Sequence, residues 1–364
     1  MQMVRMLARM YDVDLVYTCD RNESPTDESG VRTLCGEVHG FPEPKWKRIW
    51  RGLCGLIGTR PLQCRYFYSP AMKRFIDERI GRYDFVFCNN VRTAPYVERC
   101  GCTKMIDYVD AISMNYLGTA RRAGLPWRFI YRLEAGRLIR YEQKVLHAFD
   151  KHFIISDVDR RFILERAVCR KPIHVVCNST DFDDELVGQS DVRDLVFVGS
   201  MFYDPNVVAM TVFVREVLPR ILRQEPETRL FIVGSRPVPA VRKLASEHVV
   251  VTGFVENPKE YLRKAAVAVV PMYSGAGVQN KILEAMSIGC CVVTTDIGAE
   301  GLEGIVDGRD IFIRTDYEAM ADTIVELMRN RSRREAIGKA AKAYIAGHLT
   351  FESVFQDFRE KLEF

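Results

Sequence analysis

Glycine, lysine and glutamate fall at a telling spacing between residues 275 and 284. Gly275-Ala-Gly277 follows an apolar run, Val267–Val270, that closes at Pro271, and it opens a helix read over Val278–Ile288. Glycines there let the backbone approach a ligand closely. The free N–H groups of a helix's first turn then face an anion, and a diphosphate is the natural guest. Lys281 could neutralise it. Glu284 lies three residues on, on the same side of the helix. It could accept hydrogen bonds from paired sugar hydroxyls, as an acidic residue does for a ribose in dinucleotide sites. The plain alternatives are a flexible glycine loop and a surface Lys–Glu pair worth a few tenths of a kcal/mol.

Other residues carry chemistry less directly. Asp110 stands just past the run Met105–Val109, where a sheet end would face a cleft; an N-cap or turn aspartate is its bland reading, and Asp107 is a second candidate. Lys45–Ile57 mixes basic and aromatic residues, as a segment lying on an anionic membrane surface would. A solvated basic face is the alternative, and Gly52 and Gly55 weaken a helix there. Arg121, Arg122 and Arg128 add positive charge. The six histidines show no paired spacing. Neither a Gly-x-x-x-x-Gly-Lys-Ser/Thr phosphate loop nor a Gly-x-Ser-x-Gly nucleophile turn is present. The 11 cysteines are odd in number and scattered, and neither Cys100/Cys102 nor Cys290/Cys291 has zinc-ligand spacing. Reduced, buried thiols in a cytosolic protein are expected, with no metal site.

These groups need a frame to hold them. The chain has 364 residues, which suggests about two domains. Hydrophobic residues make up 48% and charged residues 27%, an ordinary globular balance. A net charge of +4 does not point to nucleic acid. No segment reaches the roughly 18 apolar residues of a membrane span, and Arg5, Arg9 and Asp12 interrupt any signal-peptide core. Apolar runs at Asp14–Tyr17, Asp84–Cys88, Met105–Val109 and His152–Ile155 alternate with helical patterns such as Ser69–Arg79 and Trp127–Phe149. The second half repeats this at Asp194–Val198, Arg229–Val233, Val249–Thr252, Val267–Val270 and Cys291–Thr294, with a helix from about Asn206 to Arg223. Such alternation implies βαβ units and parallel sheets. An acidic stretch near 176–192 reads as a linker, and residues 316–364 read as helical.

The run Gly275–Gly289, followed by Val292-Val-Thr-Thr295, resembles the donor-site motif of the family 4 glycosyltransferases, retaining enzymes of the GT-B fold. Phe197–Asn206, Ile232–Gly234, Val251–Phe254 and Asn178–Asp181 resemble the family's segments in order and spacing. In the first half, Tyr108–Ser113, Pro61–Phe67 and Tyr131–Tyr141 are similar to a bacterial subgroup associated with exopolysaccharide assembly. The resemblance implies an α/β, GT-B architecture: two Rossmann-like doubly wound domains facing a cleft. An acceptor-side domain would span 1–177, its first N-terminal strand missing, and a donor domain 178–345. A C-terminal helix, 346–364, would cross back to the first domain.

The resemblance also implies roles. Gly275, Gly277 and Val278 would present N–H groups to the donor diphosphate, Glu284 would hold the ribose, and Gly253, Phe254 and Val255 would sit at the base. Gly199 would allow close approach of the diphosphate. Asp110 would orient the sugar or stabilise charge at the anomeric carbon. Three departures stand out. Ala276 occupies the position of an earlier glutamate. Ser200 and Pro205 replace basic residues, leaving Lys281 and Arg236 as candidates to meet the phosphate charge. The chain also starts in the helix that should follow the first strand. The implied activity is sugar transfer from a nucleotide-diphosphate sugar to a glycan or lipid-linked acceptor hydroxyl, with retention and without a bound metal or cofactor. The expected place is the cytoplasm, with peripheral inner-membrane contact through Lys45–Ile57 and no nucleic-acid partner. A sugar-nucleotide epimerase or hydrolase, or a non-catalytic GT-B partner of an assembly complex, are the rival readings.

Overall fold

The computed structural model describes residues 2–19, 28–55, 58–169, 171–180, 193–274 and 277–363. They form two compact units, one of Met1–Val176 with Asp357–Phe364 and the other of Cys177–Gln356.

The second unit is built on six parallel strands: β7 (Leu195–Val198), β8 (Leu230–Val233), β9 (Val249–Gly253), β10 (Val267–Val270), β11 (Val292–Thr294) and β12 (Phe312–Ile313). (β1–β6 belong to the first unit.) Their order is β12-β11-β10-β7-β8-β9. β7 and β10 are buried at every position, which is why their sequences are unbroken Val/Leu/Phe/Ala runs: helices cover both faces of the sheet. Tyr317–Arg329 is one of the helices of this unit. Asp316 caps it by accepting from the N–H groups of Glu318 and Ala319, and Met320, Ile324 and Leu327 are fully buried along one stripe. The helix expected over Asn206–Arg223 starts at Asp204 and widens into a π turn at Phe213–Val217 before Leu218–Gln224. Pro219 explains the break, because it offers no N–H and its ring cannot pack against an α-helical carbonyl.

In the first unit, β3 (Phe85–Asn89), β4 (Thr103–Asp107), β5 (Lys151–Ile154) and β6 (His174–Val175) lie side by side in that order, all parallel. β1 (Leu15–Cys19) and β2 (Val38–Pro42) form a separate parallel pair. β4 ends at Asp107, two residues before the expected end, because Val109 turns to φ 67° and Asp107 accepts its N–H at 2.8 Å. The first described element, the helix Gln2–Ala8, precedes β1.

The C-terminal helix Phe351–Leu362 brings its last turns to this unit. Phe358 is fully buried, with its ring 5.2 Å from Phe153 and 6.5 Å from Phe87. Lys361 Nζ donates to the Val175 carbonyl at 2.7 Å. We expect Phe358→Ala to cost ~3–5 kcal/mol in chemical denaturation; a loss well under ~1 kcal/mol would show that these turns do not belong to the core of the first unit.

Candidate functional site

The strand order of the second unit, read from β9, runs 3-2-1-4-5-6 in chain order, so the order reverses between β7 and β10. In open parallel sheets the connections at such a reversal depart in opposite directions, and ligands bind at the carboxyl ends of the pair. The residues at those ends are Gly199 and the stretch from Pro271 onward.

Gly199, Gly234 and Gly253 close the ends of β7, β8 and β9. The Gly199 N–H donates to the Val233 carbonyl at 2.9 Å, and the Gly234 N–H to the Gly253 carbonyl at 3.1 Å. A Cβ on Gly234 would lie 1.8 Å from the Gly199 carbonyl oxygen. No side chain fits there, so these two loops run backbone against backbone. Asn206, almost fully buried, donates to the Ser200 carbonyl at 3.0 Å and steadies the loop after β7. Sequence reasoning did not single it out. Phe254 is 76% exposed, an open aromatic face at the end of β9, and Val255 beside it is half-buried.

Gly275 and Ala276 lie outside the described residues. Gly277 is buried with φ 74°, a left-handed backbone that glycine adopts without cost. The helix after it spans Asn280–Ser287, shorter than the expected Val278–Ile288, with Gln279 at its N-cap. Val278 is half-buried. Gly301 packs on this turn: a Cβ there would lie 2.7 Å from the Val278 nitrogen. That glycine was missed as well, since its contact is 23 residues away in sequence and has no local signature.

The Lys281–Glu284 ion pair does not form. Lys281 Nζ instead donates to Gln279 Oε1 at 2.9 Å, lies 4.0 Å from the Met272 sulfur and stands 5.9 Å from the Phe197 ring centre. Burial pushes its pKa down to about 8, partly opposed by Glu284. It is a desolvated cation beside a turn of backbone N–H groups, and a bound anion would complete its surroundings. Burial raises the Glu284 pKa, and Lys259 and Lys281 pull it back. Tyr273 OH and Ser274 Oγ, just before the glycine turn, are buried with no hydrogen-bond partner among the described residues. Asn178 Nδ2 donates to Asn280 Oδ1 at 2.9 Å. Arg236 is exposed, with φ 54°.

In the first unit, Asp110 sits at the carboxyl end of β4, an interior strand. The strain at Val109, β-branched at positive φ, aims this turn. Asp110 Oδ2 accepts from Asn115 Nδ2 at 2.7 Å. Burial, then Asp159, raises its pKa to about 6, against the pull of Arg92. Asp159 is fully buried; one oxygen accepts from the Ala111 N–H at 2.9 Å and the other has no partner among the described residues. Glu142 takes the N–H and hydroxyl of Ser113, and burial pushes it up to about 7. Asp107 is likewise raised to about 6 by burial, but its oxygen is engaged by Val109 and so shapes the turn. Sequence reasoning found Asp110 and Asp107 but neither Glu142 nor Asp159. Among the described residues, no group of three or more His, Cys, Asp or Glu could hold a metal ion.

Residues 192–330 match the family described as glycosyl transferases group 1. The chain is 24% identical over 380 aligned residues to an uncharacterised 44.6 kDa protein in the cps region of Klebsiella pneumoniae, covering 96% of this chain and 91% of that one. An uncharacterised glycosyltransferase of Methanocaldococcus jannaschii is 24% identical over 228 residues, 57% of each chain. Among solved structures, Anabaena HepE in complex with UDP and glucose aligns with a TM-score of 0.71 at 11% identity, over 99% of this chain and 94% of that one. WaaG, a glycosyltransferase involved in lipopolysaccharide biosynthesis, aligns at 0.67 and 15% identity, over 100% and 95%. These structural likenesses show the fold, which is GT-B with two Rossmann-like units.

Glu142 generates a pH prediction. Its folded pKa of about 7 lies above its ordinary 4.5, so the folded state binds the extra proton. That contribution is fully present below about pH 4.5 and is lost as pH rises through about 7. Glu142→Gln should therefore raise stability at pH 8 by about 1–3 kcal/mol and give no gain at pH 4; an equal change at both values would refute the buried-proton account. Gly301→Ala should disturb the Val278 turn and weaken nucleoside-diphosphate binding about tenfold or more by calorimetry; unchanged affinity would exclude this turn from the site.

Proposed function

We propose that the protein transfers a sugar from a nucleotide-diphosphate donor to a hydroxyl of a glycan or lipid-linked acceptor, with retention at the anomeric carbon. The observation that carries this reading is the order reversal between β7 and β10, with Gly199 on one side and Gly277, Val278 and the desolvated Lys281 on the other. A glycine turn beside a half-buried, desolvated cation suits a diphosphate better than any neutral ligand. The likeness to HepE, which holds UDP and glucose, supports a nucleotide sugar as donor. The relative in a cps region and the likeness to WaaG support a role in bacterial exopolysaccharide or cell-surface glycan synthesis. The proposed setting is the cytoplasm, with peripheral contact at the inner membrane.

Each residue then has a task. Backbone N–H groups at Gly275, Gly277 and Val278 hold the diphosphate, and Gly199 lets it come close. Lys281 supplies the countercharge; a dianion beside it restores its pKa and fixes the proton on Nζ. Glu284 accepts from the ribose hydroxyls, and Gly253, Phe254 and Val255 border the base. The leaving diphosphate stabilises its own negative charge against Lys281 and the turn's N–H groups, so neither a metal nor a cofactor is required. In a transfer with retention and no covalent intermediate, the leaving phosphate oxygen takes the acceptor's proton. Asp110 stabilises the positive charge that grows at the anomeric carbon.

The test is donor turnover by a folded Glu284→Ala protein. Loss of a charged hydrogen-bond partner should lower kcat/KM roughly 10- to 150-fold. Near-normal turnover would overturn the ribose assignment. A wild-type protein that converts the donor without any acceptor would support the epimerase or hydrolase reading. One whose melting temperature no nucleotide sugar raises would support the non-catalytic partner.

A further inference from the structure

The helix Lys45–Cys54 is mounted inside out. Trp46, Ile49, Trp50 and Leu53 recur at i, i+3, i+4 and i+7 and so share one face. A surface helix normally buries such a stripe. Here the four are 66%, 53%, 65% and 59% exposed, while Arg48 is buried and donates to the Cys19 carbonyl at 2.7 Å. Arg51 turns inward to Glu43. Glu43 in turn accepts from the hydroxyl of Ser69 at 2.7 Å, which anchors the arrangement to the N-cap of the helix Pro70–Arg79. The inward arginines thus fix the orientation, and the tryptophans are left outside by construction.

We propose that this face docks on an anionic phospholipid bilayer, with Trp46, Ile49, Trp50 and Leu53 seated at the headgroup–acyl boundary. The inference deepens the peripheral contact in the functional reading by naming the partner and the groups that enter it. The charge pattern selects the partner. Lys45 and Lys47 flank the stripe, the helix contains no acidic residue, and Lys47 Nζ lies 5.6 Å from the Trp46 ring centre, at the polar end of the same face. Trp50 also borders a recess with Arg60, Arg65 and Tyr68, which adds cations beside the stripe. Tryptophan at a wet–apolar boundary with lysine reaching to phosphates is the chemistry of interfacial helices. At ten residues the helix is far too short to span a bilayer, so it lies on the surface.

The test is co-sedimentation and tryptophan fluorescence of the full chain with phosphatidylcholine vesicles, with and without phosphatidylglycerol. Wild type should bind the anionic vesicles, shift its emission to the blue and release in high salt. Trp46→Ser with Trp50→Ser should lower the apparent affinity about tenfold or more; these side chains are exposed, so circular dichroism and melting temperature should not move. Lys45→Glu with Lys47→Glu should remove the preference for anionic vesicles. Wild type that ignores anionic vesicles, or a double-serine variant that binds as wild type does, overturns the proposal. Vesicle binding needs no donor. A chain that turns over nucleotide sugar but ignores vesicles sinks this inference alone, and one that binds vesicles but uses no donor sinks the functional reading alone.

Discussion

The second unit depends on the pairing of β7 with β10. These strands are adjacent in the sheet but separated in the chain by β8 and β9. Parallel strands must be joined by crossovers, and the crossovers of this pair depart on opposite sides. Gly199 ends one strand of the pair, and the turn at Gly277 follows the other. Nearby, Gly234 is pressed on Gly199 across the β7–β8 pair, and Gly301 on the Val278 turn. In each case a backbone had to come within reach of another backbone, and only the residue without a side chain allows it.

Both units also carry polar groups that their own folds leave short of partners. In the second, Lys281 is desolvated and bonded to an amide oxygen rather than a carboxylate. Tyr273 and Ser274 offer buried hydroxyls. In the first, burial raises the proton affinity of Asp110, Asp159 and Glu142; Asp159 adds to the rise at Asp110, and both aspartates add to the rise at Glu142. Buried groups of this kind work against stability unless paired. Proteins keep them where a ligand completes the pairing, and here they gather at the carboxyl ends of parallel strands.

Much of this was legible in the sequence, and the limits are physical. The unbroken apolar runs of β7, β8 and β10 announce themselves because both faces are largely buried. β6 and β12, at two residues each, have no period to read; β1 overlaps the run seen at Asp14–Tyr17, but β2 beside it is set by pairing rather than pattern. The glycine turn and Glu284 could be named from spacing, yet spacing suggested a Lys281–Glu284 pair where the rotamer chose Gln279. Glu142 and Asp159 reach Ser113 and Ala111 across 29 and 48 residues, a distance at which no local motif exists. The periodicity of Lys45–Cys54 shows a stripe but not which way it faces. Glu43 and the Cys19 carbonyl decide that, by holding the arginines inward.

The division of the chain has a consequence for its synthesis. The second unit is one uninterrupted stretch, Cys177–Gln356, whereas the first draws on Asp357–Phe364. Translation is vectorial, so the unit that emerges first from the ribosome waits longest for its final piece. Until that piece is released, the faces of Phe87 and Phe153 that Phe358 covers stay open, and exposed aromatic surface on a nascent domain attracts chaperones and neighbouring chains. The earlier half of the polypeptide is thus the later to mature.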